Sequence, residues 1–294
     1  MYLSAAFYVL LAVRLHLHQF LNMKNILGIT VLLVTTFAGR AQFYYKDVIT
    51  IQQTNAQWSA LKNNRIRAVK VQSYGPNNQA SDDLTVQQRV SDNQLVTTTK
   101  SLANGTTELT ATYNAGRLTQ TVDTSEDFHS VTTYNYDANG RVTNITNSSR
   151  SGEFNTTEVH VWTYDASGKP QQMLRIRNNT DTTFVTFVYE GKDVPVEEHA
   201  TRKAGKEPDI FYYYDDKNQL TDIVRYSQRA RRLLPTHMFS YDAQGRVAAM
   251  MLVPEGSNDY QRWYYDYDSR GLKLKERAYD KQQQPLGRVE YTYE

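Results

Sequence analysis

The segment YDANGRV (Tyr136–Val142) returns 105 residues later as YDAQGRV (Tyr241–Val247), and no other feature of this 294-residue chain constrains its fold as strongly. Aligned on it, the sequence also contains TYNAGRL (Thr112–Leu118), TYDASGKP (Thr163–Pro170), VYEGKDV (Val188–Val194), YYDDKNQL (Tyr213–Leu220) and DYDSRGLKL (Asp266–Leu274), with a weaker copy, RVSDNQL, at Arg89–Leu95. The key tyrosines are Tyr113, Tyr136, Tyr164, Tyr189, Tyr214, Tyr241 and Tyr267. Successive separations are 23, 28, 25, 25, 27 and 26 residues, and Tyr293 follows 26 after the last. A period of this length is one supersecondary unit that cannot bury its apolar face alone, so the units must stack over a continuous core.

Two residues before the key tyrosine stand Tyr134, Trp162, Phe187, Tyr212, Phe239, Tyr265 and Tyr291. Spacing of two puts both aromatics on one face of a strand, while Asn135, Thr163, Ser240 and Asp266 between them face the other way. The motif itself reads as a turn. An Asp carboxylate accepts a hydrogen bond from the backbone two residues on, and Gly140, Gly168 and Gly245 supply the left-handed residue of a hairpin with a G1 bulge. Tyr136, Asp137 and Gly140, with Tyr164, Asp165 and Gly168 and with Tyr241, Asp242 and Gly245, are therefore structural turn motifs rather than a duplicated active site. Each unit is two strands, one uniform turn and one connection of variable length. The variable connections gather at one end of the sheet, where binding specificity is expected.

The expected fold is all-β: an antiparallel meander of repeated β-hairpins, about fifteen strands, forming a long curled sheet or partly closed barrel with a short N-terminal helix. Thr54-Asn55-Ala56-Gln57 reads as a capping box, which predicts a helix over Thr54–Asn63 that covers the open edge beside a first strand at Arg67–Tyr74. Residues 42–88 hold this helix and the first strands, and 89–294 hold the repeats, in one continuous domain.

Residues 1–41 read as a leader. Met23-Lys24-Asn25, the apolar run Ile26–Gly39 and the small residues Gly39 and Ala41 predict an export signal cleaved before Gln42, with residues 1–22 an upstream extension. Arg14, His16 and His18 interrupt the earlier apolar run, so no membrane span is expected in the mature chain. The leader contributes Arg14, Lys24 and Arg40 to the 33 basic residues and none of the 31 acidic ones, leaving 30 against 31. That balance argues against a nucleic-acid partner. The chain has no cysteine, which excludes disulfides and thiolate metal sites.

The aromatic-x-Tyr-Asp-x-x-Gly-[Arg/Lys] pattern, running from Arg89 to Glu294, resembles the YD repeats of the RHS family. The leader and FYYKDVITIQQT (Phe43–Thr54) are similar to exported envelope proteins of the Bacteroidetes type. The resemblance implies extended β-sheets or shells built from the repeats, and carbohydrate binding; at this length it does not imply a large encapsulating shell.

Candidate chemistry is weighed against ordinary structure. Asn135–Gly140 mimics the first half of an EF-hand loop, but its twelfth position is Thr146 where a bidentate Glu belongs, so turn chemistry is the expected role and no metal is expected. His160 and His237 stand four before their key tyrosines and are expected to pack on the aromatic face. The Glu197-Glu198-His199 run reads as a solvated strand. Arg225, Arg229, Arg231 and Arg232 form a basic patch expected to be a solvated loop, with an anionic glycan, lipid headgroup or protein partner as the functional reading. Trp162 and Trp263 are the candidate platforms for a sugar ring, with Arg229, Arg231 and Arg232 as further ligand contacts. The expected function is non-catalytic: an exported scaffold of the periplasm, outer membrane or exterior that binds a glycan or an envelope protein, without cofactor. A glycoside-active enzyme is the remote alternative.

Overall fold

The computed structural model describes residues 43–102, 105–227, 230–254 and 259–294; the leader and Arg229 lie outside them. Among the described residues one helix, α1 (Lys46–Asn63), precedes all strands. The first arc is β1 (Ala68–Tyr74), β2 (Ala80–Val90), β3 (Gln94–Ser101), β4 (Gly105–Asn114), β5 (Arg117–Thr124) and β6 (Phe128–Tyr136). The second is β7 (Val142–Ser151), β8 (Phe154–Tyr164), β9 (Pro170–Arg177), β10 (Asp181–Val188), β11 (Glu197–Arg202), β12 (Gly205–Lys206) and β13 (Ile210–Tyr214). The third is β14 (Leu220–Ser227), β15 (Arg232–Tyr241), β16 (Val247–Leu252), β17 (Gln261–Tyr267), β18 (Lys273–Tyr279) and β19 (Pro285–Tyr293).

The uniform turns have the expected chemistry. Asp137 Oδ1 accepts the N–H groups of Asn139 and Arg141 at 3.0 and 2.9 Å. The Gly140 N–H donates to Asp137 O at 3.0 Å, and Gly140 sits at φ +80°, where only glycine is unstrained. Pairing runs Asn135↔Asn144 and then skips to Tyr136↔Val142, the bulge the motif predicts. Asp165, Asp215, Asp242 and Asp268 repeat this carboxylate pattern. The copy at Tyr189 does not: Glu190 takes a positive φ, and the turn closes through Lys192 N–H to Tyr189 O. A further Asp turn at Asp280, with Gln283 at φ +63° in the glycine position, lies at the opposite end of the strands. With Gln283 where the other Asp turns have glycine or asparagine, it is invisible to the motif.

Pairing is antiparallel throughout and follows chain order. The fragment β12 pairs only with β11, which also pairs directly with β13, so eighteen of the nineteen strands form the ring. Where a curled or partly closed sheet is expected, the barrel is fully closed: β1 pairs with β2 on one side and with β19 on the other, from Val69↔Tyr293 to Tyr74↔Arg288. Arg67 N–H to Glu294 O, at 2.7 Å, extends the seam. Closure removes the open edge that the helix was expected to cover.

A second ladder runs around this ring. The hydroxyls of Tyr136, Tyr164, Tyr189, Tyr214, Tyr241, Tyr267 and Tyr293 donate to the carbonyls of Leu118, Val142, Pro170, Pro195, Leu220, Val247 and Lys273, at 2.6–2.9 Å. Each of these seven tyrosines thus reaches back one repeat, which is why the position takes Tyr and not Phe. Tyr164→Phe is expected to cost about 0.5–1.5 kcal/mol in urea denaturation with no change in circular dichroism; a loss of strand signal would mean that the ladder sets the register as well.

The helix is where the structure departs most from expectation. It starts at Lys46 rather than Thr54, and it lies inside the YD-turn mouth of the barrel instead of along an edge. Asp47, Ile51, Thr54, Trp58 and Leu61 form its buried stripe, while Gln52, Gln53, Gln57 and Ser59 are exposed. Trp58 stacks on Tyr113 at 4.2 Å, and Asn55 Oδ1 accepts the Leu118 N–H at 2.9 Å. A ring of eighteen strands would otherwise enclose a channel. Here α1 and the inward aromatics pack into it, in one core around Trp58, Leu61, Val71 and Tyr113, a second around Ile51, Trp162, Met173 and Phe187, and a smaller third around Ile210, Tyr212 and Ile223.

Candidate functional site

Behind α1 the barrel wall carries a buried charged network. Strand alternation along β8 points Glu158, His160 and Trp162 inward together. His160 Nδ1 lies 2.6 Å from Asp47 Oδ2 on α1, and its Nε2 lies 3.0 Å from Glu158 Oε1. Arg175 Nη2, on neighbouring β9, donates to Glu158 Oε2 at 2.7 Å, and Arg175 Nη1 reaches Asp181 at 3.4 Å. Burial by itself would lower the His160 pKa. The Asp47 charge and the hydrogen bonds to Asp47 and Glu158 outweigh it and hold the imidazolium up to about 9. Burial likewise opposes ionisation of Glu158, but His160 and Arg175 keep its pKa below the ordinary value.

A second anchor is Glu198 on β11. Its carboxylate accepts the N–H groups of Tyr44 (2.8 Å) and Tyr45 (2.8 Å) ahead of α1, and the Tyr212 hydroxyl at 2.7 Å. Burial raises its pKa to about 7 against the pull of these donors. An acid held at a helix N-terminus also favours the helix dipole. The helix has no side-chain cap of its own; Glu198, 154 residues on, instead holds the two residues that lead into it. Both networks therefore tie the entering chain to the barrel wall, and every acid in them is engaged with a base or an N–H.

Several sequence expectations land differently in three dimensions. Trp162 and Trp263 face inward and are only 3% and 6% exposed, so neither offers a platform to a sugar ring. Trp162 instead stacks on Phe187 at 5.5 Å. His160 packs edge-on against Tyr44 at 6.1 Å, as expected, and is in addition a charged hub. His237 does pack, between Phe43 (5.7 Å) and Phe239 (6.1 Å), and burial with the nearby Lys46 charge lowers its pKa to about 4. The Glu197-Glu198-His199 strand is solvated on one side only: Glu197 and His199 interact outside, His199 Nδ1 lying 2.6 Å from Asp209, while Glu198 is buried. The basic patch divides. Arg225 pairs across with the inward Ile210, Arg229 lies outside the described residues, and Arg231 and Arg232 are exposed at the turn between β14 and β15.

Asp47, Glu158, Arg175 and Glu198 were missed as members of a site. The available signal was positional: Glu158 is six residues before a key tyrosine, on its face, where a charge demands a partner.

Exposed bulky apolar side chains sit mainly at the variable-loop end or on the outer wall. Leu102, Phe154, Tyr226 and Leu233 occupy the loop-end turns; Phe184, Tyr213 and Met238 lie on the wall.

No protein-family model and no curated protein matches the chain. Solved structures do. The Tc holotoxin pore of Photorhabdus luminescens aligns over 72% of this chain at 13% identity and TM-score 0.34, and the chain spans only 12% of that chain. A porin-like protein from Bacteroides uniformis aligns over 78% of this chain and 98% of its own, at 12% identity and TM-score 0.33. One from Bacteroides vulgatus covers the same shares at 10% identity and TM-score 0.26.

Proposed function

We propose that this chain is a non-catalytic, exported scaffold of the cell envelope, built from YD repeats, which binds through its loop end and outer wall. The observation that carries the reading is the inward aromatic ladder. Its rings pack on one another and on α1, and its outer hydroxyls are spent on backbone carbonyls, so the repeats build the barrel and leave recognition to what projects from it. The repeated Asp carboxylates each serve their own turn, and the buried acids hold the entering chain, which supports a structural role for them over acid–base chemistry. A protein partner is the first reading, because Tyr213, Met238 and Phe184 expose apolar surface on the wall.

Glycan binding is the second reading, transferred from Trp162 and Trp263 to the exposed Tyr213 and Tyr226. A glycan array with wild type and a Tyr213→Ala/Tyr226→Ala variant separates the two: wild-type binding abolished in the variant supports the glycan. Export is tested by fractionation and intact mass. A processed chain beginning at Gln42 in the envelope or medium is the expected result, and a cytoplasmic protein that keeps residues 1–41 would overturn it.

A further inference from the structure

The outward face of the third arc differs from the rest of the wall. Strand pairing sets Tyr213 (β13), Asp222 (β14), Met238 (β15), Met251 (β16), Arg262 (β17) and Tyr279 (β18) side by side in one row across six successive strands. Their neighbours fix their direction: Tyr212, Ile223 and Trp263 are buried inward, which turns Tyr213, Asp222 and Arg262 out. Tyr213 is 48% and Met238 39% exposed. On the far side of the ring an outward row holds Val96, Thr110, Val122, Val131, Ser148 and Thr157, without a charge or an aromatic ring.

From either end the row runs tyrosine, charge, methionine, and its two charges have opposite sign. Asp222 and Arg262 are three strands apart, about 14 Å, so they cannot meet within one copy. Among the described residues neither is in an ion pair, and Arg262 lies against the Tyr260 ring at 5.3 Å. A two-fold axis parallel to the strands, between β15 and β16, reverses the row. Met238 then faces the second copy's Met251, Asp222 faces its Arg262 and Tyr213 faces its Tyr279, and the reciprocal contacts follow as in any isologous interface. An axis along the row would instead set each charge against its own kind.

We infer that the chain forms a two-fold dimer through this row, two barrels side by side with their loop ends pointing the same way. Ser240 and Ala249, the next outward pair toward the YD turns, are small and exchange across the same axis, so they let the walls approach. The wall curves away on both sides of the axis, and there the side chains are long: Arg262, with Tyr213 and Tyr279 at the margins. Tyrosine, methionine and arginine are the residues enriched in protein interfaces. Six strands span about 29 Å, the breadth of an ordinary interface. A second copy supplies both opposite charges in register by symmetry, with no separate complementary surface required. The inference deepens the protein-partner reading of the outer wall and rests on it.

Sedimentation velocity of the purified protein over a concentration series tests this, with Asp222→Arg, Arg262→Asp, the double swap Asp222→Arg/Arg262→Asp, and Phe184→Asp on another part of the wall. Wild type is expected to dimerise. Each single reversal sets like charges across the axis twice and is expected to raise the dissociation constant at least about tenfold. The double swap restores the pair with reversed polarity and is expected to dimerise again. So is a one-to-one mixture of the two single variants, in which both contacts join opposite charges; a mere folding defect predicts no such recovery. Phe184→Asp should leave the dimer intact. A wild type that stays monomeric throughout the micromolar range overturns the proposal. So does a dimer that survives both single reversals, fails to recover in the double swap, or is lost in Phe184→Asp. A monomer that captures an envelope protein through Tyr213 and Met238 would overturn the dimer while leaving the protein-partner reading standing.

Discussion

Replacing His160 with alanine is expected to destabilise the barrel by about 3–5 kcal/mol at pH 7, the usual cost of removing one partner from a buried ionic network. The side chain is almost wholly enclosed and faces a carboxylate on each ring nitrogen, so its loss leaves Asp47 buried without its imidazolium. The pH dependence gives an independent check. His160 titrates at about 9 in the folded protein against 6.5 when exposed. Its contribution is therefore complete below pH 6.5 and is lost as pH rises through 9, a linkage on the order of 3 kcal/mol. Glu198 acts in the same direction earlier: its pKa is raised from 4.5 to about 7, so burial penalises its ionised form increasingly as pH rises through 7. Glu158 opposes them at the acid end, because its depressed pKa gives stability that is lost as pH falls below the ordinary carboxylate range. Urea denaturation across pH 5–10 should show stability falling on the alkaline side in wild type, with the part due to His160 absent in His160→Ala. An Asp47→Leu/His160→Leu double variant, with no orphaned charge, should be less destabilised than the single alanine. Unchanged alkaline behaviour in His160→Ala would show that the imidazole is not the charged hub.

Trp58→Ala is expected to cost a similar 3–5 kcal/mol, through cavity formation where the indole lies flat on Tyr113 with ring planes 3° apart. The same substitution separates the two roles conceivable for α1. A helix that closes the mouth from within should loosen as a unit, exposing residues 46–63 to limited proteolysis while the β1–β19 seam stays protected from amide exchange. A helix acting as edge cover would do the opposite, with protection lost first along β1. The observed geometry requires the first outcome, since β1 already has a strand on each side.

How much of this was legible in the sequence follows from how far each interaction reaches. Asp137 bonds to residues two and four positions away, and Gly140 answers to its own φ angle, so the turn could be derived from seven letters. That Trp162 and Phe187 each share a face with the key tyrosine two residues on followed from strand period alone, but whether that face was core or surface did not, because period cannot tell what lies opposite. The Asp280 turn escaped because Gln283 adopts the left-handed conformation usually left to glycine or asparagine. The helix start was misplaced because its first turn closes on the carbonyls of Tyr44 and Tyr45, whose N–H groups Glu198 holds, and no local pattern announces an anchor on a distant strand.

The sequence by itself determined the repeat unit, its turn, its alternating faces and the sequential antiparallel order of strands. All of these depend on backbone geometry and on neighbours within one hairpin. Only the tertiary structure decided that the last strand meets the first, that α1 lies within the ring and not along an edge, and that Asp47, His160, Glu158, Arg175 and Glu198 converge. Closure depends on twist and shear summed over eighteen strands, to which each repeat adds a small amount that no single motif encodes. The charged residues then find one another because a closed wall brings positions more than 100 apart in the chain to within 3 Å.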